Sequence, residues 1–276
     1  MNSALTATIA TPRLQRVSGR GSIGTRTAGG RTRIMALYQE GAAKIRLPRT
    51  HDATIEAALI NTAGGLTGGD RLVWNAEAGA GSRLLLTTPA AERIYRSPAA
   101  DVVVEARLAA GPVARLDWIP QETILFEGAR LDRRFEIDLA GDATLFMVEA
   151  VLLGRQAMGE DAGSARLNDN WRIRRGGRLI HAEASRLDAD PRQRQNLSLL
   201  AGANAFATLL YLGPDAERRA AAIRALPDNP LLGSTRIGEK LVVRALAPSG
   251  IALRRAIVPI IALLSERGQV PRLWSL

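Results

Sequence analysis

One device repeats between residues 54 and 154: a short run that reads as a strand, then a turn residue, then another run. The runs are "TIEAALI" (54–60), "DRLVWNAEA" (70–78), "SRLLLTT" (82–88), "DVVVEARL" (101–108), "ETILFEGA" (122–129), "RFEIDLA" (134–140) and "ATLFMVEAVLLG" (143–154). Gly79, Gly81, Pro89, Pro98, Gly111, Pro112, Pro120, Gly128 and Gly141 punctuate them. Strands at this spacing with turn signals between them mean an all-β architecture. Upstream, Val17 to Pro48 is rich in Gly, Thr and Arg, with alternating stretches such as "RTRIMALY" and a Gly-Gly pair at 29–30, which fits short strands joined by a turn. Residues 1–16 read as a flexible N-terminal arm. No linker divides the remainder, so 17–276 reads as a single β domain.

"WRIRRGGRLIHAE" (171–183) is the clearest hairpin: two strand-like arms flank Gly176-Gly177, and a two-residue turn there needs positive φ at both positions. The last third changes character. "FATLLYL" (206–212) and "KLVVRALA" (240–247) read as strands, while "PDAERRAAAIRAL" (214–226) reads as a helix. A second helix is expected in "GIALRRAIVPIIALLSERG", capped by Ser249, kinked at Pro259 and stopped at Gly268.

Composition excludes several chemistries. There are no cysteines, hence no disulfide framework and no thiolate metal site, and His51 and His181 are the only histidines. A tight zinc or nickel centre of the usual nitrogen and sulfur ligands cannot be built from these. The N-terminus lacks a secretory signal, and "IALRRAIVPIIALL" (251–264) is interrupted by Arg254, Arg255 and Pro259, so the expectation is a cytoplasmic protein with no membrane contact. The net charge of +10 comes almost wholly from arginine, with lysine only at Lys44 and Lys240. It is either a solvated basic surface or a match for an acidic partner. No nucleophile elbow is present. Glu92, Glu122, Glu149, Glu160 and Glu183 offer carboxylates for glycoside hydrolysis, but aromatics make up only 4% of the chain, against both sugar stacking and single-stranded nucleic acid. Nucleic acid is not an expected partner.

"NTAGGLTGGD" (61–70) concentrates four glycines and one acid after a strand. It is not a phosphate loop: Gly69-Asp70-Arg71 stands where Gly-Lys-Ser/Thr is required, and a strand rather than a helix follows. A corner between strands remains, at which Asp70 either caps a turn or serves a site. Glu149 interrupts an apolar run, so it either faces water at a sheet edge or is buried with a partner. Glu160 in "AMGED" and Glu183 in "HAEAS" raise the same question.

Taken in order, "NTAGGLTGGDRL", "TTPAAERIYRS" (87–97), "LDWIPQETILFEGARL" (116–131), "GRQAMGE" (154–160), "WRIRRGGRLIHAE" and the ending "PRLW" (271–274) resemble the urease accessory protein UreD family, called UreH in some organisms. The resemblance spans about residue 17 to the C-terminus. It implies a mainly β fold of stacked sheets in a helical, β-helix-like arrangement, with two α-helices in the C-terminal third. It implies no catalysis of its own. Such proteins bind apo-urease together with UreF and the GTPase UreG, and help nickel reach the buried urease site through an internal, water-filled passage. No tightly bound cofactor is implied, only transient Ni2+. On this resemblance Asp70, Glu149, Glu183 and Glu160 are candidate passage carboxylates. Some relatives carry a second acid after Gly-Gly-Asp, where this chain has Arg71. An ion bound with about 8 kcal/mol (micromolar) leaves quickly, whereas about 16 kcal/mol (picomolar) would stall it. A chain without thiolates and with scattered imidazoles suits passage. The alternative is a pure adaptor that recruits UreF and UreG without carrying nickel.

Overall fold

The computed structural model describes residues 15–49, 53–155, 158–227, 229 and 231–274. The expected arm at 1–16 lies outside the described residues save for 15 and 16, and His51 lies outside them too. The chain opens with β1 (Ser18–Ala28), β2 (Arg31–Gly41), β3 (Ala43–Arg46) and β4 (Ile55–Asn61). It continues through β5 (Arg71–Ala78), β6 (Arg83–Thr87), β7 (Glu92–Ile94), β8 (Val102–Ala110), β9 (Arg115–Ile119), β10 (Thr123–Leu125), β11 (Arg130–Leu139), β12 (Thr144–Leu153), β13 (Arg166–Arg175) and β14 (Arg178–Asp188). A one-turn α1 (Pro191–Arg194), β15 (Ala205–Leu212), α2 (Ala216–Arg224), β16 (Leu232–Ile237), β17 (Lys240–Ala247) and α3 (Gly250–Leu264) complete it.

From β4 to β13 the chain passes back and forth between two sheets. One runs β14-β13-β11-β8-β5-β1-β2, the other β16-β17-β15-β12-β9-β6-β4-β3. The central strands β5, β8, β11 and β13 pair in parallel, as do β4, β6, β9 and β12. The chain therefore coils as a β-solenoid of about four turns, with antiparallel hairpins closing the ends. One hairpin turns at Gly176 and Gly177, whose φ values of 55° and 78° are what that two-residue turn requires.

Period-2 burial builds the first sheet. In "RLDRRFEIDL" the side chains of Leu131, Arg133, Phe135, Ile137 and Leu139 are buried and the alternate ones are more exposed. The outer face carries cross-strand ion pairs such as Arg71–Glu105 (2.8 Å) and Arg174–Glu136 (2.7 Å). The second sheet is covered on both sides, which is why β12 reads as an apolar run: Leu145, Met147, Val151 and Leu153 pack in the solenoid core, while Phe146, Val148 and Ala150 pack with α2 and α3.

One corner of the solenoid repeats along its axis. Leu66, Ile94, Leu125 and Leu153 stack side by side through a parallel bridge and two parallel pairings, all of them buried. The Gly-rich stretch 61–70, "TTPAAERIYRS", "QETILFEGA" and "LLGR" (152–155) are thus the same corner of successive coils. That is why the expected strand over 122–129 shortens to β10: Phe126–Ala129 turns the corner, with Gly128 at φ 71°. Gly68 sits where a Cβ would collide with Ser97 of the next coil, so close stacking demands glycine there.

The two expected helices are present as α2 and α3. The Ser249 side chain accepts from the Ala252 N–H at 3.3 Å, and Pro259 lies inside α3. The helix stops at Leu264, short of Gly268. Ser265 is extended, and arginines take the last carbonyls: Arg115 donates to Leu264 O (2.8 Å) and Arg219 to Leu263 O. No helix among the described residues is long and apolar enough to cross a membrane.

Candidate functional site

The interior of the solenoid is not uniformly apolar. A cavity of about 60 Å³ lies between the sheets, walled by Leu59, Leu72, Trp74, Ile94, Leu131 and other apolar side chains, and by Thr88, Glu92, Gln121, Thr123, Arg133 and Glu149. That volume holds a few waters or a small ion, and falls far below the few hundred Å³ of an organic-ligand pocket.

Glu149 is where the two sheets meet electrostatically. It projects inward from β12 and its carboxylate is 5% exposed. The Trp118 indole N–H donates to Oε1 at 2.7 Å, and Arg133, reaching from β11 in the opposite sheet, pairs with Oε2. The same guanidinium donates to Asp169 Oδ2 (2.6 Å), and the Trp171 indole donates to Asp169 Oδ1 (3.0 Å). Each carboxylate thus receives one indole N–H and is ion-paired with the one guanidinium. Phe135 stands between the two indoles in edge-to-face contact with both, at 5.4 and 5.8 Å.

Two carboxylates share one cation here. Burial, with the Asp169 charge adding to it and Arg133 opposing, pushes Glu149 up to about 7. Burial also works against the charged form of Arg133, but Asp169 and Glu149 outweigh it and raise its pKa. Glu92, which also lines the cavity, is raised by burial, with the Asn61 amide donating to it at 3.0 Å and opposing the shift.

From this cluster a polar lane crosses the strands. Residues directly opposite in a ladder share a face. Glu149 lies opposite Thr208 on β15, and Thr208 opposite Arg244 on β17. In the facing sheet Arg133 lies opposite Asp169, and Asp169 opposite Ser185. The two rows meet at Glu183, which accepts from Ser185 Oγ (3.0 Å) and from Arg244 Nη2 (2.6 Å), while Arg244 Nη1 donates to Thr208 Oγ1 (3.1 Å). Arg244 is 55% exposed, so the lane reaches the surface. His181 flanks it, with Nε2 buried, unpartnered and 4.0 Å from Glu183; burial and then Lys240 hold its pKa below the ordinary value.

The structure therefore brings together two of the four sequence-selected acids, Glu149 and Glu183, on one lane. The other two sit in the corners. Asp70 is buried, and accepts from Val17 N (2.8 Å) and Thr67 N (2.7 Å), so both oxygens hold backbone; it does not line the cavity. Glu160 accepts from Glu127 N (2.7 Å) and pairs with Arg155, tying the third corner to the fourth, and the backbone N–H of Glu127 leads the interactions that lower its pKa. Sequence reasoning missed Arg133, Asp169 and Thr208, and saw Glu92 only as one carboxylate among several. The signal for two of them was present: alternation in "RLDRRFEIDL" and "RLNDNWRIRR" places Arg133 and Asp169 on the apolar face. Among the described residues no group of three or more His, Cys, Asp or Glu is arranged to hold a metal ion.

Fold and site together define a class: a β-solenoid with a small, largely apolar interior cavity that holds two acids and an arginine, and a row of polar and charged side chains leading from there to the surface. The model of the UreD urease accessory protein family matches residues 17–275. The urease accessory protein UreD of Chelativorans sp. (strain BNC1) is 56% identical over 264 residues, covering 95% of each chain. That of Rhizobium etli is 51% identical over 267 residues, 96% of this chain and 97% of the relative, and that of Rhizobium leguminosarum bv. viciae 49% over 273 residues, 99% and 100%. The chain belongs to the UreD urease accessory protein family.

Proposed function

We propose that this protein docks on apo-urease with UreF and UreG and conducts nickel toward the urease active site through its own interior. The observation that carries the reading is the row of polar side chains that leads away from the Glu92–Glu149 cavity on neighbouring strands, through Asp169 and Thr208, to Glu183 and Arg244 at the surface. Its donors are carboxylate, hydroxyl and amide oxygens, with space for water at the Glu92–Glu149 end, and such oxygens bind a divalent ion weakly enough to release it. The passage acids on this reading are Glu149 and Glu183, with Glu92 added; Asp70 and Glu160 hold the corners that keep the coils in register. Nickel is cargo, not a resident cofactor, and no reaction is catalysed.

The test is urease activation in cells, with complex formation followed by pull-down. Glu149→Gln and Glu183→Gln should each lower activation by about tenfold or more while the complex with urease, UreF and UreG still assembles. Full activation by both variants would leave the adaptor reading, in which the ion travels elsewhere.

A further inference from the structure

The way Arg133 is held deepens that reading and rests on it. A buried arginine is ordinarily fixed by using all its donors. Arg133 is 6% exposed, yet its Nε has no hydrogen-bond partner. Its other contacts are Glu149, Asp169 and Thr123 Oγ1 (3.2 Å). Its guanidinium carbon lies 5.8 Å from the Phe135 ring centre, and the residue lines the cavity, so open space adjoins it. Glu92 lines the same cavity and forms no ion pair with any described residue. Arg133 therefore has a place to go and a second carboxylate to meet.

The oxygens it would leave are also informative. Glu149 Oε2 and Asp169 Oδ2 come from opposite sheets, and both lie against the same guanidinium. Each carboxylate is oriented by an indole N–H on its other oxygen, so neither depends on Arg133 alone for its direction. Withdrawing one positive charge from between two fixed carboxylates favours an incoming charge of at least equal size. A divalent ion supplies more than the guanidinium did, and a monovalent ion of the same charge lacks its directed hydrogen bonds.

We propose that Glu149 and Asp169 form a transient divalent-cation site, and that Arg133 is the tethered cation a passing ion displaces and that refills the site behind it. Arg133 is then the residue that keeps the lane from retaining its cargo: without it the two carboxylates would trap the ion.

The test uses the full chain and Ni2+ alone, by equilibrium dialysis and by thermal unfolding with Ni2+ or Mg2+ added, with circular dichroism to confirm folding. Arg133→Gln should bind one Ni2+ about tenfold or more tighter than wild type and gain a nickel-dependent rise in Tm. Adding Asp169→Asn should abolish the gain. If Arg133→Gln does not fold, Arg133→Lys, which keeps the charge but loses the fork to both carboxylates, should show a smaller gain of about threefold. A folded variant with wild-type nickel affinity, or a gain that survives Asp169→Asn, overturns the proposal. Failure here is separable from failure of the conduit: wild-type affinity in Arg133→Gln, with Glu149→Gln still blocking urease activation, removes the displaceable arginine and leaves the passage standing.

Discussion

The second sheet carries buried charge on both faces, outward on β9 at Arg115 and Asp117 and inward on β12 at Glu149, and the two faces use it oppositely. On the outer face Arg115 donates through Nε to both oxygens of Asp117 (2.9 and 3.1 Å) and through Nη2 to the last carbonyl of α3. None of its buried nitrogens is left over, and its guanidinium carbon lies 5.8 Å from the Tyr211 ring centre. On the inner face one arginine is divided between two carboxylates, keeps an unpartnered nitrogen and borders a cavity. A fully satisfied buried pair fixes a position, here the seat of a helix. An incompletely satisfied one beside open space can exchange partners.

The contrast can be broken by substitution, and the largest effect belongs to the outer face. Asp117→Ala leaves Arg115 buried and unpaired, and should cost about 3–5 kcal/mol in urea unfolding, with α3 detaching. Next comes the Gly-rich corner. Asp70→Ala strands the half-buried N–H groups of Val17 and Thr67, at about 1 kcal/mol each, so urease activation should fall only as far as folded protein falls. Glu149 should behave differently. Its pKa is raised in the folded chain from 4.5 to about 7, so the folded state holds the extra proton across that window. Wild-type stability should therefore be greatest below the window and decline by ~1–3 kcal/mol as pH rises through it. Glu149→Gln, which cannot titrate, should lose that slope, as thermal melts from pH 4.5 to 8 would reveal. Glu160→Gln should do least, under about 1 kcal/mol, because its Arg155 partner is half exposed.

Much of the fold was legible because period-2 alternation and turn residues report local geometry directly. Apart from 122–129, which shortens to β10, and the last helix, which stops at Leu264, the runs from 54 to 154, the Gly176-Gly177 hairpin and both C-terminal helices fall where those signals place them. β9 was missed because "RLDWI" is buried on both faces and so does not alternate. The stacking of the corner motifs into one repeated corner was invisible, since no residue-level repeat marks it; what recurs is the apolar position filled by Leu66, Ile94, Leu125 and Leu153. At the site, an acid inside the apolar run of β12 announced Glu149. It did not disclose the partners, because Arg133 and Asp169 lie on other strands of the opposite sheet and only the coil brings them together. Asp70 looked like Glu149 in sequence, an acid in an informative stretch. What separates them is that backbone N–H groups occupy both oxygens of one, while a displaceable side chain holds an oxygen of the other.

The central claim is that the ion travels inside the solenoid. Thr208→Leu tests it most directly, because it puts an apolar side chain in the lane between Glu149 and Arg244 without removing an acid or touching the outer face. The measurement is the nickel content of urease co-expressed with this variant, with assembly of the accessory complex verified by pull-down. The account expects an intact complex and urease that stays close to nickel-free; an intact complex with urease loaded to the wild-type level would contradict it.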